Sequence, residues 1–318
     1  MLDLGRLRML DAVATHGSIN AAAEALGYTA SAISQQLSKL ERETGCGLLE
    51  RHGRGVRLTE PGALLAGSAR RILADVERAE AELESRRETV AGPLVIAAFP
   101  AATRDLLPEV VLGLRRRHPR LETRLYEAGA AEAVSVLLRG DADLALLHDW
   151  RADGPDLPEL LEHRLLGEDA ADLVVPADHP LAGAGTVAFA ALGEQEWVRP
   201  PAGSVAGDWI ASALREHGCA PALSHQVEQT STQLALVAAG LGISLIPRLG
   251  RGQLPPGLTV LTPDPLPVAR MYLVWRAASG RRPALVAGRA AVRRQWAAHQ
   301  RALHAPMLPA ARTPTANS

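Results

Sequence analysis

The sequence predicts an α+β protein of several domains: an N-terminal winged helix-turn-helix, one long linker helix, and a C-terminal two-lobed α/β module. Three observations predict it. Residues 18–40, SINAAAEALGYTASAISQQLSKL, read as two short helices joined by a Gly-containing turn. Leu65, Ala69, Ile72, Val76, Ala79 and Leu83 recur in alternating steps of four and three, the spacing of a coiled-coil seam. From Leu94 onward, short apolar runs alternate with helical stretches.

In the N-terminal segment, Leu4, Leu7, Leu10 and Ala14 mark a first helix that ends near Gly17. Ser18 is placed to cap the next, with Ile19, Ala22, Ala23 and Leu26 inward and Gly27 as its stop. Thr29 can cap a third helix running to about Thr44. Its Ala32, Ile33, Leu37 and Leu40 form an anchoring face. Ser31, Ser34, Gln35 and Ser38 fall on the other side at i, i+3, i+4 and i+7. A wet helix face usually carries Glu and Lys. Small hydroxyls and amides instead can approach a base edge or a phosphate closely, so this is a candidate recognition helix. Thr29, Ser34, Ser38 and Lys39 are assigned to phosphate or groove-edge contact, and Ser31 and Gln35 to base reading, with Gln36 as a further reader. Plain solvent exposure is the alternative for Ser31 and Ser38. Gly45, Gly47, Gly53 and Gly55 then frame Leu48, Leu49, Val56 and Leu58 around the basic tip RHGRGVR. Two short strands there would make a wing, from which Arg51 and Arg54 reach phosphates or a minor groove.

Thr59, Glu60 and Pro61 open the long helix, with Pro in the first turn where its missing N–H costs nothing. It continues to about Glu88. Its narrow apolar stripe wants a partner helix, so the six seam residues are assigned to dimerisation; packing on the chain's own body is the alternative. Ala91-Gly92-Pro93 begins the α/β module. Strands are expected at 94–99, 121–126, 142–147, 173–175, 196–198, 223–227, 243–246 and 271–275. Helices are expected at 104–117, 130–139, 204–217, 231–239 and 283–303. Such alternation argues for parallel sheets covered on both faces. The boundaries read as 1–59, 60–90 and 91–303, the last split into lobe I (91–167 with 268–303) and lobe II (168–267). A Pro- and Ala-rich tail, 304–318, is expected to be disordered.

Composition narrows the chemistry. The net charge of −1 gives no global basic field, and residues 1–60 hold seven basic and seven acidic groups. Only local clustering, as at Arg51, His52, Arg54 and Arg57, can answer that. The two cysteines, Cys46 and Cys219, offer neither a disulfide framework nor metal-ligand spacing, and suit a reducing cytoplasm. There is no signal-peptide pattern and no apolar run long enough for a membrane. No nucleophile elbow, Walker loop or clustered catalytic set argues for an enzyme. No cofactor or metal is implied. A solute-binding protein would have no use for residues 1–88, and a thiol switch would want a paired cysteine in the sensing module.

The stretch AAAEALGYTASAISQQLSKLERETGCGLLERHGRGVRLTEPG resembles the N-terminal signature of the LysR-type transcriptional regulators. The shared features are the Ala-rich second helix, the Ser-Ala-Ile-Ser-Gln core of the third, the Leu-Glu-Arg of the wing and the Leu-Thr-Glu-x-Gly entry to the linker. LVAAGLGISLIP resembles the family's strand-preceding glycine turn, and the likeness spans about residues 2–303. Ala30 departs from it, standing where the family often has Gln, so base preference cannot be inherited. The resemblance implies promoter DNA, a small-molecule effector and RNA polymerase as partners, and a homodimer or homotetramer. It implies a C-terminal module similar to periplasmic binding proteins, which hold a ligand between two lobes. Cleft-facing turns then supply effector candidates: Ala101, Ala102 and Thr103 after the first strand, Ser204, Gln229 and Thr230 in lobe II, and Glu127 and His148 at strand ends. These favour a small metabolite, anions included.

Overall fold

A computed structural model describes residues 1–53, 55–86, 89–151, 153–218 and 222–304. Arg54, Cys219 and the tail from residue 305 lie outside the described residues.

Helices α1 (Leu4–His16), α2 (Ile19–Leu26) and α3 (Ala30–Thr44) each begin with a side-chain cap. Asp3 accepts from Arg6 N, Ser18 from Ala21 N and Thr29 from Ala32 N, which satisfies N–H groups that have no partner within the helix. Gly17, Gly27 and Gly45 end them in the left-handed conformation. Leu10, Val13, Ala22, Ile33, Leu37, Leu40 and Leu48 close the core between the helices. Strands β1 (Leu49–His52) and β2 (Gly55–Leu58) pair antiparallel as the wing. Glu41 Oε1 accepts from Leu48 N and Leu49 N at 2.8 and 3.1 Å, tying the wing to α3.

Helix α4 (Glu60–Ser85) is capped by Thr59 and is about 39 Å long at 1.5 Å per residue. Gly62 sits directly against the Leu48 carbonyl, where a Cβ would collide. The start of α4 packs along α1, with an Asp11–Arg70 pair and with Ala66 and Ala69 buried. The seam is therefore not uniformly free. Leu65 packs on the N-terminal core, Ala69 is buried, Ile72 and Val76 are half-buried, and Ala79 and Leu83 are exposed. Leu64, off the seam, is exposed as well. The far end of α4 lies on the α/β module of its own chain, where Glu77 pairs with Arg276 at 2.9 Å and Glu84 with Arg282 at 3.4 Å.

The module begins with β3 (Gly92–Ala98), α5 (Pro100–Asp105), α6 (Leu107–Arg117), β4 (Leu121–Glu127), α7 (Ala130–Arg139) and β5 (Leu144–Asp149). The single helix expected at 104–117 is two, broken at Leu106 ahead of Pro108. Strand β6 (Leu161–Pro176) is the largest departure, since only 173–175 were expected. Then come β7 (Thr186–Ala188), β8 (Glu196–Arg199), α8 (Val205–Glu216), β9 (Ala222–Gln226), α9 (Thr230–Ala238), β10 (Ser244–Pro247), β11 (Leu258–Asp264), β12 (Val268–Arg276) and α10 (Pro283–His304). Strands β7 and β11 were not expected.

The sheet runs β4-β3-β5-β12-β6-β11-β7, with β10 also on β6. Strands β3, β4 and β5 are parallel, but β12, β10 and β11 are antiparallel to β6. The expectation of parallel sheets is thus corrected to mixed ones. A chain that leaves one lobe along β6 must come back, and the returning strands pair with it antiparallel. The first half of β6 pairs with β12 in lobe I, and the second half with β10 and β11 in lobe II. Gly167 lies where the β6–β12 register shifts, and the Trp296 indole occupies the place a Cβ would take. Leu94, Ile96, Leu107, Leu146, Leu273 and Val292 fill lobe I beneath α6 and α10, while Phe189, Trp197, Ile210, Leu214 and Leu245 fill lobe II beneath α8.

Candidate nucleic-acid interface and sensor cleft

With Ile33, Leu37 and Leu40 sealed in the core, helical geometry turns Ser31, Ser34, Gln35, Ser38 and Lys39 outward, and all five are exposed. Thr29 divides its hydroxyl between the cap and Ser31 Oγ, 3.1 Å away. Gln36 differs from the other candidates. Half-buried, it accepts from Arg6 Nε at 3.2 Å and helps α1 hold α3. Arg51 is exposed on β1, while Arg54 lies outside the described residues. Tyr28, 55% exposed in the turn just before the Thr29 cap, is a surface aromatic that pattern reading passed over.

The neutral charge of this domain conceals a local asymmetry. Glu43 pairs with Arg6, Asp11 with Arg70 and Glu50 with Arg57, and Glu41 accepts from backbone. Among the described residues no carboxylate pairs with Lys39 or Arg51. Those four carboxylates are engaged inside the domain, and these two cations remain available to a polyanion.

In the α/β module the two lobes touch across their boundary. Ala101 abuts Gly250, and Arg104 donates to the Gly250 carbonyl. Trp150, just beyond β5 of lobe I, stacks on Trp209 of α8 with ring centroids 5.1 Å apart. Several sequence candidates are consumed within the chain. Ala102 is a core residue of lobe I, which removes its side chain from the cleft. Thr103 Oγ1 donates to the carbonyls of Ala98 and Phe99 at 3.3 and 3.2 Å. Ser204 Oγ donates to Pro201 O at 2.6 Å and accepts from Gly207 N at 3.1 Å, acting as the cap of α8. Gln229 and Thr230 open α9 without a side-chain cap. Gln233 instead holds that turn, donating to Val227 O at 2.9 Å. Glu127 is exposed at the end of the outermost strand, β4. His148 meets Phe99 edge-on at 4.6 Å, and burial pushes its pKa down to about 4, so it is neutral at physiological pH.

Polar groups beyond the sequence candidates hold the lobe boundary. Asp172 receives Arg248 at 2.8 Å and is also paired with Arg251. Asp169, 2% exposed on β6, accepts from Leu249 N at 3.0 and 3.1 Å through its two oxygens. Burial drives its pKa up to about 7. Such residues carry no pattern in sequence, because their partners lie some eighty positions away. Among the described residues no cluster of His, Cys, Asp or Glu is placed to hold a metal ion, and no helix is long and apolar enough to cross a membrane.

The family model described as "LysR substrate binding domain" matches residues 87–297, and that described as "Bacterial regulatory helix-turn-helix protein, lysR family" matches residues 4–63. The HTH-type transcriptional regulator YnfL of Escherichia coli K12 is 32% identical over 86% of this chain and 92% of its own length. The probable hydrogen peroxide-inducible genes activator of Streptomyces viridosporus is also 32% identical, over 87% and 89%. Among solved structures, a cysteine-to-aspartate variant of full-length OxyR from Pseudomonas aeruginosa superposes with a TM-score of 0.69 at 21% identity, covering 92% of this chain and 95% of that one. CbnR complexed with its target DNA superposes with a TM-score of 0.51 at 23% identity, covering 93% and 100%. These two likenesses speak to the fold.

A helix-turn-helix joined by a long helix to an α/β effector-binding module defines a DNA-binding transcriptional regulator, not an enzyme. The chain belongs to the LysR family of such regulators.

Proposed function

We propose that this regulator works as a homodimer or homotetramer in the cytoplasm, gripping promoter DNA through α3 and the wing and answering a small metabolite held between its lobes. The observation that carries the DNA half is the exposed row of Ser31, Ser34, Gln35, Ser38 and Lys39 on a helix whose opposite face is sealed. Ser31 and Gln35 read base edges. Thr29, Ser34, Ser38, Lys39, Arg51 and Arg54 position the protein on the backbone. Gln36 is reassigned to supporting α3. Self-association uses the exposed end of the α4 stripe, where Leu83 is 68% exposed, and two linked protomers present two recognition helices to two half-sites. RNA polymerase is the partner that such a promoter-bound assembly recruits.

On the effector side, Thr103, Ser204 and the opening turn of α9 surround a cleft that ligand-driven lobe opening exposes. The lobe movement passes to DNA through Glu77–Arg276 and Glu84–Arg282, which fasten α4 to lobe I. Relatives named for peroxide induction suggest a thiol switch. This chain holds only Cys46, in the DNA-binding domain, and Cys219, so no peroxide response is expected.

Footprinting of the protein on its own promoter tests the reading. Wild type should protect two half-sites. Gln35→Ala should weaken that footprint by about tenfold or more while leaving unspecific binding intact, because a good bidentate base contact discriminates by about 1–3 kcal/mol. Equal footprints for the two proteins would refute the assignment of α3.

A further inference from the structure

Helices α6 and α10 lie side by side over the core of lobe I, and their charge is one-sided. Helix α6 ends in Arg115, Arg116 and Arg117. Helix α10 carries Arg289, Arg293, Arg294 and Arg301 and no acidic residue. Glu109, in the first turn of α6, is the one carboxylate in the two segments. The whole chain has a net charge of −1, so this is a local concentration of cations and not a general excess. Elsewhere arginines find acids, as Arg139 does at Asp141, Arg151 at Asp149 and Arg248 at Asp172. Among the described residues no carboxylate pairs with Arg116, Arg117 or Arg294.

Two adjoining hollows open on this surface. Arg116, Arg117 and Arg294 line one of about 400 Å³, beside Gly113. Arg117 and Arg294 also line the other, of about 490 Å³, where they are joined by His118, Arg281 and the apolar Val286 and Ala290. Ser85 lines the second hollow too, which places it where the linker helix α4 reaches the α/β module. Burial, and then the charges of Arg117 and Arg294, hold the His118 imidazole below its ordinary pKa, so both guanidinium groups bear on one spot. Cations in the last turn of a helix offset its dipole. That accounts for Arg115, Arg116 and Arg117, but not for Arg294 on α10 or Arg281 just before it. Arg281 reaches Glu82 only at 3.5 Å with both side chains exposed, a pair of little worth. Like charges gathered without acids repel one another, and an anion among them relieves that repulsion.

We propose that this groove binds a small molecule carrying a di- or triphosphate, held by Arg116, Arg117 and Arg294. The site is separate from the cleft and does not depend on the reading of the cleft. Guanidinium forks grip two phosphate oxygens at once, and several converging cations call for a group with more than one negative charge. A single carboxylate would leave most of them unbalanced. The volume suits a ligand of nucleotide size. A second copy of the chain meeting this surface patch to patch would set like charge against like charge.

The test is calorimetric titration of the full-length protein with pyrophosphate, ADP and acetate. Pyrophosphate and ADP should bind, and acetate should not. Arg117→Gln and Arg294→Gln should each lose about fivefold in affinity, and the double variant about twentyfold or more. Both side chains are exposed, so neither substitution disturbs the core. Arg301→Gln removes the same charge from an exposed position of α10 outside the hollows and should leave the affinity unchanged. ADP binding more tightly than pyrophosphate would assign Val286 and Ala290 to a nucleoside, and equal affinities would assign the site to the bare phosphate chain; either supports the proposal. No binding of pyrophosphate or ADP would overturn it. Equal losses for Arg301→Gln and Arg117→Gln would do the same, since they would show diffuse attraction and no site. A loss caused instead by Lys39→Gln would put the phosphate on α3, and one caused instead by Ser204→Ala would put it in the cleft. Either result overturns the proposal, and the second leaves the cleft reading standing.

Discussion

The outer face of α3 and the helix-opening turns proposed for the cleft both carry small polar side chains, yet they are in opposite states. On α3, Ser31, Ser34, Gln35, Ser38 and Lys39 stand in solvent. At the turns proposed for the cleft, Thr103 and Ser204 are bonded to carbonyls of their own chain, and Ala101 is covered by Gly250. The difference follows from what each must recognise. Duplex DNA is large and rigid, so its reader has to be preformed and exposed. A small molecule must be enclosed, and the polar groups of those turns are satisfied within the chain. Opening the cleft then costs the internal contacts that ligand contacts must replace.

Asp169 gives the sharpest way to probe the contact between the lobes. Its carboxyl holds the Leu249 N–H, and the same loop carries Gly250 onto Ala101 and Arg104. Asp172, Arg248 and Arg251 face it from β6 and that loop. The folded pKa is raised from 3.8 to about 7. Between those values the folded chain keeps a proton that the unfolded chain has released, so stability falls as pH rises and the loss is complete above about pH 7. From about pH 5.5 to about pH 8 the loss amounts to about 2 kcal/mol. Asp169→Asn should remove this component and match or exceed wild type at the alkaline end. Urea midpoints across that range check it, and parallel pH profiles for the two proteins would show that Asp169 does not govern the latch.

A smaller effect is expected on the exposed side. Lys39→Gln should weaken binding to operator and to unrelated duplex by a similar factor, about fivefold, and should lower the salt slope by about one unit, the signature of one lost phosphate contact. Binding isotherms at several salt concentrations measure both. If Lys39→Gln altered sequence preference but not the slope, the division between backbone positioning and base reading along α3 would have to be redrawn.

How far this contrast was legible in the sequence depends on the range of the contacts involved. The caps at Ser18 and Thr29, the glycine stops and the wing strands are set by residues a few positions apart, and each appears where local pattern put it. Strand β6 was mostly missed because its first half is polar and exposed, with Glu162, His163 and Arg164 in succession, so no apolar run announced it. Its place comes from pairing with β12, about a hundred residues on. The same holds at the lobe boundary. Arg199 reads as an ordinary surface charge, and only the packing of α8 over β8 reveals that it is buried. Ala102 and Gln36 were misjudged for a related reason: being near a functional turn does not decide which way a side chain faces.

The smallest expected effects compare the two hydroxyls proposed for the cleft. Ser204 caps α8 by accepting from Gly207 N, so Ser204→Ala should cost about 1 kcal/mol of stability in the absence of any ligand. Thr103 Oγ1 only adds donors to carbonyls within its own turn, bonds that compete with backbone partners, and Thr103→Val should cost less than about 0.5 kcal/mol. Thermal melts of the two variants rank them. The ranking matters because both hydroxyls are effector candidates. A hydroxyl that is cheap to remove from the empty protein can turn to a ligand at little cost, whereas one that holds a helix end must break the cap to do so. Thr103 is therefore the better placed to turn to a ligand under the proposed reading, and equal losses for the two substitutions would erase that distinction.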